Sequence, residues 1–201
     1  MGFTERAKSA IGRAAQLATE RFQSPTGTVH LLAALLQDEE GFVADVLRKL
    51  GANLPLLRKS TDDLPTSETE EAEGSGGYGL VAYRAMQSAI DAAKSLGNSY
   101  EGTEHLLLGL ATEQSSDAAQ VLAAHGITRD RLFEALQAEN DSGLEKLMAT
   151  VLDGADETMP GQCQACGVSP AIVHVTEIKG NTMRGVHLCE ECARKHGVGW
   201  V

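Results

Sequence analysis

The sequence predicts a mainly α fold: a four-helix repeat used twice, then a small C-terminal β-hairpin carrying four cysteines. Three observations predict it. Only 4% of the 201 residues are aromatic while alanine and leucine abound, which favours close-packed helices over a sheet sandwich. Sliding the chain on itself by 75 residues lays Gly27-Thr28-Val29-His30-Leu31-Leu32 over Gly102-Thr103-Glu104-His105-Leu106-Leu107 without a gap. Residues 161–201 then change character, with two Cys-x-x-Cys pairs flanking stretches of strand composition.

The 75-residue offset holds along the copies: Phe3 falls on Tyr78, Ile11 on Met86, Val46-Leu47 on Val121-Leu122, Gly51 on Gly126 and Leu57 on Leu132. Ala7, Ile11, Ala14, Ala15, Ala18 and Phe22 follow the spacing of an amphipathic helix, and Ala82, Met86, Ala89, Ile90 and Ala93 repeat it. Ser24-Pro25-Thr26-Gly27 breaks the first helix, and Thr28 is expected to cap the second, as Thr103 does in the second copy. Gly41 separates the second helix from a third, which ends at Gly51, a residue suited to a left-handed cap. A short fourth helix follows Pro55. The first repeat therefore occupies residues 1–64 and the second 78–140. Between them, residues 65–77 are acidic and glycine-rich and read as a mobile linker. A second linker spans 141–160, in which Leu144, Leu147, Met148, Val151 and Leu152 have the spacing of one more short helix.

Cys163-Gln164-Ala165-Cys166 and Cys189-Glu190-Glu191-Cys192 stand 22 residues apart, the layout of a tetrahedral four-cysteine zinc ribbon. Two residues between thiolates let one tight turn aim both sulfurs at one ion, and Gly167 can take the positive φ such a turn needs. Ala171 to Ile178 reads as a strand, Lys179-Gly180-Asn181 as a turn, and Thr182 to Leu188 as the returning strand. A hairpin this small is marginal alone, and one Zn2+ would supply the missing stability. Four thiolates fill the coordination sphere, so the expected site is structural, since a catalytic zinc keeps a position open. A dithiol redox centre would show one Cys-x-x-Cys beside a βαβ pattern, which is absent; redox sensitivity of the zinc site stays open as a secondary role. With four cysteines present, His174, His187 and His196 read as strand and surface residues rather than ligands.

The Phe3-Thr4-Glu5-Arg6-Ala7 opening, the paired Gly-Thr-x-His-Leu-Leu blocks and the duplication resemble the N-terminal domain of Clp unfoldases of the ClpC type, over about residues 3–138. The resemblance implies two four-helix units forming a domain that receives substrates and adaptor proteins. It also implies a site for phosphorylated arginine, with the guanidinium on the acidic residue of a Gly-Thr-Glu-His block and the phosphate at the start of a first helix. A carboxylate suits a guanidinium, and helix N-terminal amides suit phosphate. Thr4, Glu5 and Glu104 are the candidate ligand-binding residues on that basis. Taken repeat by repeat, each copy keeps half: the first has Thr4 but Val29 in place of the acid, the second has Glu104 but Gly79 in place of the threonine. Glu104 is the surviving candidate, and its alternative role is a first-turn carboxylate favoured by the helix dipole.

Cys163 to Cys166 with Pro170-Ala171, Val173 to Ile178, and Val186 to Ala193 resemble the zinc-binding region of McsA, over about residues 161–197. Members of that family activate a protein-arginine kinase and work alongside ClpC. No Gly-x-x-x-x-Gly-Lys-Ser/Thr loop occurs, so the sequence carries no nucleotide site with which to power unfolding. His30 and His105 sit beside leucine pairs with no repeated acid or nucleophile, and read as packed or capping residues rather than catalytic ones.

The net charge of −11 is uneven, with a formal +1 on residues 161–201 and −12 on residues 1–160. Such an acidic body repels a phosphate backbone and argues against nucleic acid as a partner. No apolar run approaches a membrane span, no secretory signal opens the chain, and Arg6 stands where a myristoylation motif wants serine or threonine. The expectation is a cytoplasmic, non-enzymatic accessory, adaptor or regulatory protein of a bacterial Clp protease system. It would bind clients or partner proteins through the double repeat and dock a Clp unfoldase or an arginine-kinase component through the ribbon. Two alternatives stay open: a stand-alone decoy that sequesters ligands of the ClpC N-terminal domain, and a zinc- or thiol-responsive regulator.

Overall fold

The computed structural model describes residues 2–65, 67, 68, 70, 72, 75–140, 161–179 and 182–195; the expected helix over 144–152, the hairpin turn at 180–181 and His196 lie outside them. Two compact units divide the chain: Met1–Leu96 with Tyr100–Leu136, and Gly97–Ser99 with Gln137–Val201. Among the described residues no helix is long and apolar enough to cross a membrane.

The first unit contains α1 (Glu5–Glu20), α2 (Thr28–Leu36), α3 (Phe42–Lys49), α4 (Leu54–Asp63), α5 (Leu80–Ser95), α6 (Thr103–Thr112), α7 (Asp117–Ala124) and the helical residues 129–136 of α8. Its core gathers around the two helices that follow the repeated blocks. Every residue of α2 is buried, and so are Leu106, Leu107, Leu108 and Leu110 of α6. α1 packs on α2 and α5 on α6, while α2 also touches α5, α6 and α7. At Gly109, which corresponds to Ala34 of the first repeat, an added Cβ would lie 2.2 Å from the Ala85 carbonyl oxygen. The backbones of α5 and α6 therefore meet where only glycine fits.

The helix starts differ from expectation. Gly27 and Gly102, rather than Thr28 and Thr103, are the N-caps. His30 Nδ1 accepts the Gly27 N–H at 2.9 Å and His105 Nδ1 accepts the Gly102 N–H at 2.8 Å. Each imidazole, at the third helical residue, thus does what the glutamate of a capping box does there, which frees the threonines for other bonds. Burial lowers the His105 pKa to about 4, and burial followed by the Arg21 charge lowers that of His30. Both rings are neutral structural acceptors.

Phe22 also departs from its expected place on the buried face of α1. The helix ends at Glu20, and Phe22 has φ 56° and is 98% exposed. The amide of Gln23 reaches back to the Ala18 carbonyl and that of Phe22 to Thr19, which is a Schellman ending with Phe22 in its left-handed position. Gly51 and Gly126, at φ 86° and 74°, occupy the same position after α3 and α7.

The repeats are joined across, not within, themselves. A parallel bridge pairs Phe3 with Glu101, and the Thr4 N–H donates to the Glu101 carbonyl at 2.9 Å. Its counterpart pairs Thr26 with Tyr78, with Thr26 N–H to the Gly77 carbonyl at 2.8 Å and Gly79 N–H to the Thr26 carbonyl at 2.9 Å. The first turn of α1 therefore meets the approach to α6, and the first turn of α5 meets the approach to α2.

The second unit contains an antiparallel pair, β1 (Val173–Lys179) and β2 (Thr182–Leu188), followed by α9 (Glu190–Lys195). Its described core is six buried residues, Cys163, Val173, Val186, Leu188, Cys189 and Ala193. So small a core needs a staple.

Candidate functional site

Three places carry chemistry, and the four cysteines are the first. Cys163 and Cys166 lie in the turn before β1, Cys189 directly follows β2, and Cys192 stands on α9. All are free, and their Sγ atoms lie within 4.8 Å of one another, Cys166 and Cys189 being 3.9 Å apart. Sulfurs bound to one tetrahedral zinc at about 2.3 Å stand about 3.8 Å apart, so the set fits that ion. Gly167 takes φ 68°, and its N–H closes the turn onto the Cys163 carbonyl at 2.7 Å. Peptide N–H groups of Ser169 and Val168 lower the Cys166 pKa to about 6. Burial works against ionisation of Cys163, but the N–H groups of Cys189, Cys166 and Ala165 outweigh it and lower its pKa. Burial, then the adjoining cysteines, push Cys192 up. Four crowded thiols cannot ionise together without a cation, and a dication at their centre removes that conflict.

The junction of α1 with α6 is the second place. Thr4 caps α1, its Oγ1 accepting the Ala7 N–H at 3.2 Å. Glu5 is exposed and pairs with Lys8 at 2.8 Å, an ordinary first-turn ion pair. The Glu104 side chain is only 16% exposed and bends back over Gly102, where any Cβ would collide with its carboxylate oxygens. Burial raises its pKa, only partly opposed by its own N–H and by the Thr103 hydroxyl. His105 Nδ1 lies 3.4 Å from the carboxylate but is neutral and already accepts the Gly102 N–H, so it offers no countercharge. The half-buried Tyr100 ring stands edge-on to His105, the residue after Glu104, with centroids 5.8 Å apart, and burial, then the Glu104 charge, raise its phenol. Glu101 adds a second acid that is 2% exposed, and its Oε2 has no hydrogen-bond partner among the described residues. Thr103 also lines an open groove of about 310 Å³ with Arg6, Ser9, Arg13, Gln37 and Phe42. Two carboxylates with no Lys or Arg ion pair among the described residues, an aromatic ring and a nearby helix N-terminus suit a cation that carries an anionic tail.

At the third place, where α5 meets α2, the same elements hold no ligand-binding residues. Val29 is fully buried and Gly79 caps α5 without a side chain. The expected mobile linker is bonded into the unit here instead. Glu68 Oε2 accepts the Thr28 N–H at 2.7 Å, and Oε1 accepts the Thr28 hydroxyl and, at 3.3 Å, the Asp117 N–H. Ser67 donates both its N–H and its hydroxyl to Asp117 at 2.6 Å, and the Leu80 N–H donates to the Glu70 carbonyl at 2.7 Å. The acidic composition of 65–77 signals solvation only where nothing nearby needs an acceptor; here one carboxylate serves the N-termini of both α2 and α7.

Within each repeat of the sequence, Thr4 goes with Val29 and Gly79 with Glu104. The cross-repeat bridges pair Thr4 with the Glu104 turn and Gly79 with the Val29 turn. One junction therefore carries both Thr4 and Glu104, and the other carries Val29 and Gly79. Tyr100, Glu101 and Glu68 carry no motif of their own in the sequence. The pattern itself fits this exchange, since Thr4 and Glu104 then share one junction and Val29 and Gly79 the other.

The family model described as the Clp repeat N-terminal domain matches residues 2–125 and again 78–157. The chain is 33% identical over 129 residues to the negative regulator of genetic competence ClpC/MecB of Bacillus subtilis, covering 64% of this chain and 16% of that protein. It is 31% identical over 161 residues to the chaperone protein ClpB of Propionibacterium freudenreichii, covering 78% and 18%. The chain thus spans less than a fifth of the length of these relatives. Among solved structures, the N-terminal domain of ClpD from Arabidopsis thaliana aligns with TM-score 0.52 at 24% identity, over 68% of this chain and 92% of that one. The Hsp104 N-terminal domain from Candida albicans aligns with TM-score 0.53 at 18% identity, over 68% and 89%.

Proposed function

Because the chain belongs to the Clp repeat N-terminal domain family, we propose that it is a non-enzymatic accessory protein of a bacterial Clp system, binding clients or partner proteins through its helical unit. The observation that carries this reading is the asymmetry of the junctions: Thr4 and Glu104 share one, while the other is taken up by Glu68. The open junction receives a phosphorylated arginine side chain, its guanidinium on Glu104 beside Tyr100 and its phosphate toward Arg6 and the first-turn amides of α1. Glu5, spent on Lys8, contributes to the dipole rather than to contact.

Cys163, Cys166, Cys189 and Cys192 hold one structural Zn2+ in a McsA-like ribbon, which docks a second component, a Clp unfoldase or part of an arginine-kinase system. The closeness of the four sulfurs and the smallness of the hairpin core support the metal.

Fluorescence anisotropy with a phosphoarginine peptide tests the pocket. Binding to the full chain is expected to weaken about tenfold or more in Glu104→Gln, and a plain arginine or phosphoserine peptide is expected to bind poorly. Equal binding of all three peptides would sink the assignment. For the ribbon, capture of Clp or kinase components from a native lysate should disappear in a Cys163→Ser/Cys189→Ser variant, whose zinc content should fall from one per chain to none. Undiminished capture by the zinc-free variant would overturn the docking role.

A further inference from the structure

The outer face of the hairpin carries a feature that the four-cysteine site does not use. His174 and His187 are register partners across β1 and β2, and both are exposed. Their Nδ1 atoms stand 3.2 Å apart and their ring centroids 4.3 Å apart. The His187 N–H is spent on Gln164 Oε1 at 2.7 Å and its carbonyl accepts the Gln164 N–H at 2.9 Å. His174 and His187 are therefore a non-hydrogen-bonded pair, the kind whose side chains approach most closely.

We propose that His174 and His187 form a second, exchangeable metal site for a borderline divalent cation such as Ni2+ or Cu2+. Two imidazole nitrogens at about 2.0–2.1 Å from one ion, at angles between square and tetrahedral, stand about 2.9–3.4 Å apart. The observed 3.2 Å falls within that range. A single exposed hydrogen bond contributes little in water, so strand register rather than mutual attraction holds the rings together. That register has already met the ordering cost of a two-point chelate. Imidazole suits copper, nickel and zinc, and the Irving–Williams order puts Cu2+ first, whereas the thiolate set beside it suits zinc. Solvent completes the coordination sphere, which makes the bound ion exchangeable where the four-cysteine zinc is not.

The site rests on a folded hairpin and so on the zinc reading above. The test therefore uses full-length, zinc-saturated protein titrated with Ni2+ alone, which does not oxidise thiols. Calorimetry is expected to show one Ni2+ per chain, without zinc release to a chromogenic chelator and without nickel–thiolate absorption. His174→Ala and His187→Ala should each keep their zinc and weaken Ni2+ binding about tenfold or more, since each turns a two-point attachment into one. Unchanged affinity in both variants, or uptake accompanied by zinc release, would overturn the site. A readout on the unaltered chain avoids any folding defect in the variants. Substoichiometric paramagnetic Ni2+ should broaden the ring resonances of these two histidines before those of the other four; earlier broadening elsewhere refutes the proposal. Protein purified without zinc would count against the four-cysteine reading, whereas zinc-replete protein that ignores Ni2+ defeats this one alone.

Discussion

The two junctions of the helical unit arise from one duplicated sequence and have become opposites. Where α1 meets α6, a mostly buried carboxylate has no Lys or Arg partner among the described residues; where α5 meets α2, a carboxylate from the linker fills the equivalent turn and bonds to two helix starts. The difference teaches that two copies of one turn can be filled differently, one by giving its polar groups an internal partner. Val29 stands on α2 where α6 has Glu104, and Glu68 supplies a carboxylate from the linker in a place where it serves stability.

Glu68→Ala is expected to have the largest effect on folding. It leaves the Thr28 N–H and hydroxyl and the Asp117 N–H without their acceptor inside the unit, at a cost of about 2–4 kcal/mol. Chemical denaturation reads this as a lower midpoint at unchanged slope. If the variant is as stable as the parent, the closed junction is only a surface contact. Gly109→Ala is expected to cost about 1–3 kcal/mol, because the new methyl would press on the Ala85 carbonyl. The same exchange is already present in the first repeat, where Ala34 is accommodated at 6% exposure. A neutral Gly109→Ala would mean that α5 and α6 can separate as freely as α1 and α2 do.

These contrasts were only partly legible in the sequence. Helical periodicity and the 75-residue offset announced the duplicated unit, and the two Cys-x-x-Cys pairs announced the cluster, because both depend on local spacing. The exchange of partners between repeats was not legible, since self-comparison reveals equivalence rather than contact and the short Phe3–Glu101 and Thr26–Tyr78 bridges have no composition of their own. Phe22 misled for a related reason: it continues the apolar spacing of α1 but stands where the Schellman ending has already turned the chain outward. Thr28 misled because His30, two residues on, performs the capping that a threonine would otherwise do.

Gly102→Ala should separate binding from stability. The Cβ would displace the Glu104 carboxylate, a flexible group able to move, so stability should change by less than about 1 kcal/mol while phosphoarginine-peptide affinity falls. Intact affinity would show that Glu104 binds from some other position.

Glu104 itself gives the finest discrimination, through pH. Burial raises its folded pKa above the ordinary carboxylate value, so the protonated form is the one the fold favours. Its contribution to stability is fully present below the unfolded pKa and is lost as pH rises through the raised folded value. Glu104→Gln should therefore match the parent in acid and become the more stable protein toward neutral pH. A guanidinium ligand inverts the preference, because it favours the carboxylate, so peptide affinity of the parent should climb over the same pH range in which its relative stability declines. At the other junction Val29 has nothing to titrate, and Val29→Gln should show no such crossing. Parallel pH profiles for Glu104→Gln and the parent, in both stability and binding, would mean that Glu104 is a helix-start carboxylate and nothing more.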